Sequence, residues 1–187
     1  MLKHGIVEVS KDDNLKLQAR AKVSGGSAEA FIDGALTVAG SGYKFFPVGK
    51  NGTYAPIEFL EVRSDNAEYS VEIFENAPVT SIGNTIVRSA MYWQRRDHVG
   101  TFQSSPIAVD YDRNSFGTGE NIALLAGTSW DEPFATIDDL VLSPETDKIS
   151  TTVGISAPII MLGEVYEKWK EADFYLSTAL SPHASHS

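Results

Sequence analysis

The chain contains no cysteine. That excludes disulfides, thiolate zinc sites and cysteine nucleophiles, and it leaves the redox compartment open. Histidine is nearly as scarce. His4, His183 and His186 lie near the ends, and His98 sits in the polar run Arg95-Arg96-Asp97-His98-Val99-Gly100, which predicts a hairpin-like turn. A catalytic base must be held rigidly beside its nucleophile, and no G-x-S-x-G elbow, H-E-x-x-H pair or phosphate-binding loop accompanies these histidines. No hydrophobic run approaches the roughly 20 residues that a membrane-spanning helix needs. Nor is there an excess of positive charge. Lys and Arg total 15 against 25 Asp and Glu, a net charge of −10, and such a field repels phosphate backbones and argues against nucleic acid as a partner. The opening Met1-Leu2-Lys3-His4 lacks the apolar core of a signal peptide. Either the protein is cytosolic, or this sequence is a fragment whose export signal lies upstream.

Helical periodicity is almost missing as well. The one candidate is Glu164 to Ala172, where Val165 and Trp169 stand four apart, and it reads equally as a strand end and linker. What remains is a chain of 187 residues, 42% hydrophobic and 21% charged, a composition that folds and that suffices for one β-sandwich with a core. Turn residues punctuate it at Ser24-Gly25-Gly26-Ser27, Gly40-Ser41-Gly42, Lys50-Asn51-Gly52-Thr53 and Ser64-Asp65-Asn66, the rhythm of a sandwich or barrel. Between them, Tyr69, Val71 and Ile73 alternate with Glu68, Ser70 and Glu72, and Ile107, Val109 and Tyr111 alternate with Ala108, Asp110 and Asp112. Such a period of two sets one face on a core and the other in water. Ile122-Ala123-Leu124-Leu125, Val153-Gly154-Ile155 and Ile159-Ile160-Met161-Leu162 read as more deeply buried strands. Asn51-Gly52 reads as a tight hairpin turn, because both residues tolerate positive φ.

The expected fold is all-β, a predominantly antiparallel sandwich of jelly-roll or immunoglobulin-like type, with at most a short helix near 164–172. Its core should hold Phe45, Val48, Ile57, Phe59, Tyr69, Val71, Ile73, Trp93, Ile107, Val109, Leu124 and Ile155. Residues 1–40 form an N-terminal β segment packing on the sandwich, and 41–165 form the sandwich module. Residues 166–187 form a linker and the start of a following domain or tail, where Ser, Ala, Pro and His take over.

Candidate chemistry is sparse. Asp110, Asp112 and Asn114 place oxygen side chains at alternate positions, with Glu120 further on, as at the opening of a calcium loop. The glycine expected at the sixth position is Ser115, and Gly117 comes two later. A plain acidic turn after a strand with a solvated face is the preferred reading. No cofactor is expected, and calcium is the candidate metal at these three residues. Paired carboxylates at Asp12-Asp13, Asp131-Glu132 and Asp138-Asp139 point to opposite faces if on strands, which makes them poor acid–base pairs. Tyr92, Trp93 and Trp130 could supply a sugar-stacking platform. Trp93, on a strand, is read as core, whereas Trp130, between Ser129 and Asp131, is the candidate exposed stacking residue, with Tyr92 beside it.

Several longer stretches are similar to a known module. Gly5-Ile6-Val7, Asn14-Leu15-Lys16-Leu17, Val23-Ser24-Gly25-Gly26-Ser27-Ala28 and Phe31-Ile32-Asp33-Gly34-Ala35-Leu36 are followed by Tyr43-Lys44-Phe45-Phe46-Pro47-Val48-Gly49-Lys50-Asn51-Gly52-Thr53-Tyr54-Ala55-Pro56-Ile57. With Ile73-Phe74-Glu75-Asn76-Ala77-Pro78, Met91-Tyr92-Trp93 and Val109-Asp110-Tyr111-Asp112, they resemble a β-sandwich module repeated in large cell-surface proteins of gliding Bacteroidetes, cargo of the type IX secretion system. Phe174 to Pro182 is similar to the start of the gliding-motility-associated C-terminal sorting domain, with His183-Ala184-Ser185 departing from it. The resemblance covers about residues 5–165 and implies export to the cell surface. It brings no catalytic residues.

The functional expectation is a non-catalytic structural or spacer module of a secreted, adhesin-like surface protein, not an enzyme. Its partners would be neighbouring domains of the same chain, and surface glycans if it binds anything. The alternative is a carbohydrate-binding module with an exposed aromatic platform at Trp130 and Tyr92, and an accessory domain of a polysaccharide hydrolase comes third.

Overall fold

The computed structural model describes residues 1–10, 12–13, 15–17, 21–78, 81–82, 85–116 and 121–165. Among these the chain is all-β and sandwich-like, with one short helix. The N-terminal third forms β1 (Val7–Glu8), β2 (Leu15–Lys16), β3 (Ile32–Asp33), β4 (Leu36–Ala39), β5 (Gly42–Phe46), β6 (Val48–Lys50) and β7 (Thr53–Tyr54). Two long strands follow, β8 (Ile57–Phe74) and β10 (Thr85–Ser104), with the short β9 (Ser81–Ile82) between them. After β11 (Ile107–Asp110) come α1 (Arg113–Phe116), β12 (Ile122–Gly127), β13 (Ala135–Ile137), β14 (Leu140–Ser143), β15 (Lys148–Thr151) and β16 (Ile159–Val165).

Strand β8 belongs to both layers. Its first part pairs with β5 through Phe46↔Ile57 and with β11 through Ile107↔Phe59 and Val109↔Ile57. Its second part pairs with β4 through Leu36↔Val71 and with β10 through Trp93↔Ile73 and Arg95↔Val71. One layer therefore runs β14-β15-β11-β8-β5, and the other runs from β2 and β4 through β8, β10, β16 and β12 to β13. A small sheet β1-β3-β6-β7 completes the N-terminal region. Pairing is antiparallel except where the N-terminal strands add on, β1 and β6 to β3 and β2 to β4.

The alternation read at Tyr69–Ile73 and Ile107–Tyr111 aims these residues into one core shared by both layers. Ile57, Phe59, Ile107, Val109 and Ile149 meet Tyr69, Val71, Ile73, Trp93, Leu124, Ile160 and Leu162 there. Phe59 lies 5.1 Å from Phe46, 6.0 Å from Tyr69 and 5.6 Å from Phe102 between ring centroids, and each such pair adds about 0.5–1.5 kcal/mol beyond the area it buries. Arg95 is buried against this cluster, its guanidinium 3.7 Å from the Phe102 ring centroid. Asp97 accepts from Arg95 Nε at 2.7 Å, and the Ser156 carbonyl accepts from Nη2 at 3.0 Å. The buried charge is thus paired and hydrogen-bonded, as burial demands.

Several expectations need correction. Phe45 is only half-buried, because it pairs with Glu58 on the outer side of its strand while Phe46, one residue on, pairs with Ile57 and enters the core. Ser70, placed in water by the alternation, is buried, with His98 Nε2 3.0 Å from its Oγ. Val153-Gly154-Ile155 is no strand: Val153 is exposed in a bend, and only Ile155 is buried, in an isolated bridge to Ser105. Of the two readings of Glu164–Ala172, the strand end holds for Glu164 and Val165, which end β16, and 166–172 lie outside the described residues. The helix among the described residues is α1, after the acidic turn instead.

The runs Ser64-Asp65-Asn66 and Arg95–Gly100, read as turns, lie inside β8 and β10. Their turn chemistry serves a bulge. Register slips between Val99↔Glu68 and Thr101↔Asp65, where Asn66 takes φ 54° and Gly100 φ 66°. An extra residue at a bulge bends and twists a strand, which is what lets β8 leave one layer and enter the other. Asn51 and Gly52, with φ 47° and 83°, make the expected hairpin between β6 and β7.

Val71→Ala should lower stability by about 1–3 kcal/mol, since Val71 is 1% exposed between β4 and β10. Chemical denaturation checks this, and an unmoved midpoint would show that the face was misassigned.

Candidate functional site

Two surfaces carry the residues singled out by the sequence. The first is the outer face of the β8-β10-β16-β12-β13 layer. Cross-strand register lines up Phe74, Tyr92, Met161, Leu125 and Thr136 in one row. The backs of these strands are apolar too, so that face needs its own cover. Residues of the loop between β12 and β13 supply it: Trp130 and Phe134 pack with Leu125, Ile159 and Met161 into a second, smaller hydrophobic cluster. Gly127 permits this return, because a Cβ there would lie 2.5 Å from the Phe134 ring.

Trp130 is accordingly half-buried rather than exposed. Its ring meets Tyr92 edge-on, centroids 4.8 Å apart and planes at 83°, and lies 5.4 Å from Phe134. Tyr92 in turn stacks on Phe74 at 5.4 Å and 17°, and the Arg96 guanidinium stands 5.6 Å from the Phe74 ring. The structure thus brings Tyr92 and Trp130 together on one face, but with perpendicular planes that cannot both lie flat beneath one sugar chain. Burial pushes the Tyr92 hydroxyl above its usual range. Trp93 faces the main core, as expected, and its indole N–H donates to the Ala55 carbonyl at 2.8 Å.

The second surface is a cleft of about 430 Å³ where β7, β10, β16 and the turn after β11 converge. Thr53, Tyr54 and Ala55 line one side, Met91, Trp93 and Leu162 the floor, and Asp110, Tyr111, Asp112, Ser115 and Phe116 the other side. Asp112 caps α1: its Oδ1 accepts from the Asn114 backbone N–H at 3.0 Å and from Asn114 Nδ2 at 3.1 Å, and Oδ2 accepts from Ser115 Oγ at 2.9 Å. These bonds hold its carboxyl below the usual range. Desolvation pushes Asp110 the opposite way, only partly offset by Lys148, whose Nζ is 3.8 Å from Oδ1. Lys148 also pairs with Glu58, and Arg113 with Asp147.

Of the candidate calcium residues, Asp110 and Asp112 therefore share the cleft, while Asn114 turns its Nδ2 to Asp112 and is not among the lining residues, and Glu120 lies outside the described residues. No group of three His, Cys, Asp or Glu among the described residues is placed to hold a metal ion. His98 lies on β10, bonded to Ser70.

No family model, curated protein or solved structure matches the chain.

Tyr54 was not singled out by the sequence, though the Asn51-Gly52 turn just before it fixes its position. Its hydroxyl is pushed up to about 12 by burial, then by the charges of Asp110 and Glu58. Burial also raises Tyr69 above its ordinary value. A phenol whose folded pKa is raised contributes stability that is complete below its unfolded value and is lost as pH rises through the folded one. Stability should therefore hold up to pH 10.0 and fall between there and about 12. In Tyr54→Phe the fall should be shallower, as followed by denaturation midpoints across that range and by phenolate absorbance.

Because Trp130 roofs the second cluster, Trp130→Ala should cost about 1–3 kcal/mol by thermal or chemical denaturation. A melting temperature unchanged by that substitution would mark the indole as a free surface group.

Proposed function

We propose that the chain is a non-catalytic structural module of a secreted, cell-surface protein of adhesin type, serving to hold neighbouring domains in position. The observation that carries this reading is the long antiparallel pairing of β8 with β10, from Phe74↔Tyr92 to Arg63↔Ser104. It forms the centre of the larger layer, and β8 carries on into the other layer, joining the two through one continuous backbone. A rod of paired backbone resists extension because many hydrogen bonds and a shared core must be lost together.

A second support is how the resembling segments interlock. Lys50 Nζ donates to Asp33 Oδ1 at 2.9 Å and the Asn51 N–H to Oδ2 at 3.1 Å, clamping the β6–β7 hairpin to β3. Gly26, with φ 122°, approaches so closely that a Cβ would stand 2.6 Å from the Tyr54 hydroxyl and 2.9 Å from Pro47 Cβ. Gly-Gly-Ser, Ile-Asp-Gly and Phe-Pro-Val-Gly thus join into one packed corner. This fits the module of type IX secretion cargo as a scaffold defined by packing rather than by a reactive centre. The aromatic rings at Phe74, Tyr92 and Trp130 close on one another, which favours a scaffold over a carbohydrate-binding platform.

A glycan array with wild type and Trp130→Ala tests the choice. Silence from both is expected, and a signal lost in the variant would favour the carbohydrate-binding alternative. In cells making the full-length protein, protease added to intact cells should remove the module, and protection would overturn the surface assignment. Turnover of a polysaccharide by the purified module would refute the non-catalytic reading.

A further inference from the structure

The cleft between β7, β10 and the turn after β11 has a one-signed charge inventory. Among the described residues its lining contains two carboxylates, Asp110 and Asp112, and no lysine, arginine or histidine. Around them stand the rings of Tyr54, Trp93, Tyr111 and Phe116, with Met91 and Leu162 completing an apolar floor. The Trp93 N–H is already used by Ala55, so this ring has only its carbon surface and π-electrons to give. Tyr111 is 5% exposed, and its buried hydroxyl has no hydrogen-bond partner among the described residues. Lys148, which is not among the lining residues, stands 3.8 Å from Asp110 and is shared with Glu58, so it offsets the Asp110 charge only in part.

We propose that this cleft binds an alkylammonium group, as carried by a lysine side chain of a partner polypeptide or by a free polyamine. The ammonium adds positive charge beside Asp110, which Lys148 offsets only in part, and beside Asp112. Aromatic faces attract cations electrostatically, and the methylenes of the ligand replace water along Met91, Phe116 and Leu162. A hard divalent ion is a poorer occupant, since it demands about six to eight oxygens and most of this lining is carbon. An anion is repelled, and an uncharged sugar brings no charge to offset the two carboxylates. The volume lies within the range of small-ligand sites, about 300–1,000 Å³. The proposal goes beyond the structural role and does not depend on it.

Calorimetric titration of the whole chain tests it with four probes: N-acetyl-lysine amide, spermidine, uncharged N-acetyl-norleucine amide and a neutral oligosaccharide. Binding of at least one ammonium probe is expected, weakening as salt rises, with no heat from norleucine amide. Lysine amide binding without spermidine binding points to a polypeptide partner, and the reverse to a free polyamine. Asp110→Asn should weaken the ammonium probe by about tenfold or more, and Trp130→Ala, on the opposite face of the layer, should leave the affinity unchanged. Asp110→Asn leaves Lys148 its pair with Glu58, and its melting temperature should stay close to that of wild type, which keeps the comparison between folded proteins. The proposal is overturned if neither ammonium probe binds, if binding survives both Asp110→Asn and Asp112→Asn, or if the oligosaccharide alone binds.

Discussion

Both layers of this sandwich depend on one strand changing sheets. Strand β8 pairs with β5 and β11 over its first turns of pleat and with β4 and β10 over the rest, so neither layer can move without straining the other. The bend costs local pairing, and the Asn66 and Gly100 backbones absorb it with positive φ. Around the crossing, Phe59, Tyr69 and Phe102 pack ring against ring, and Arg95 seals the cluster with a charge that Asp97 neutralises. The core is dense at the point where the backbone is least regular, and packing there makes up for the pairing that the bulge removes.

The same crossing sets the two surfaces of interest. Because β10 follows β8 closely, its alternate residues Tyr92 and Trp93 face opposite ways: one joins the outer cluster under Trp130, the other floors the cleft. Two neighbouring aromatic residues thus serve separate regions. The outer cluster is closed by ring-on-ring contacts, whereas the cleft carries two carboxylates and only a partial counter-charge from Lys148. Unspent polar capacity, rather than the presence of aromatics, distinguishes a surface that can take a ligand from one that is merely covered.

How far the sequence was legible follows from the range of each interaction. Period-two alternation is local, and it assigned Tyr69, Val71, Ile73, Ile107 and Val109 to the core. The Asn51-Gly52 turn was equally local. Turn-forming residues were ambiguous, because the φ > 0 that ends a strand in a hairpin is the same φ that bulges it, and only the partner strand decides between them. That is why Ser64–Asn66 and Arg95–Gly100 read as breaks in what are continuous strands. Trp130 looked exposed because its sequence neighbours are polar, while the apolar face it covers comes from β10, β12 and β16. The cleft was illegible for the same reason: residues 53–55, 91, 93, 110–112, 115, 116 and 162 meet only after the layers assemble.

The position of β16 adds a consequence for the order of events in the life of the chain. This strand, the last one described, lies between β10 and β12 and bonds to both. Until Ile159–Val165 is available, β10 and β12 each present an open edge, and unpaired edges are sites of aggregation. The outer cluster also lacks Ile159 and Met161, and the main core lacks Ile160 and Leu162. A chain emerging from its N-terminal end cannot close its larger layer piecemeal. It stays open until nearly all of the described sequence is free, and then the final strand enters the middle of the sheet like a keystone.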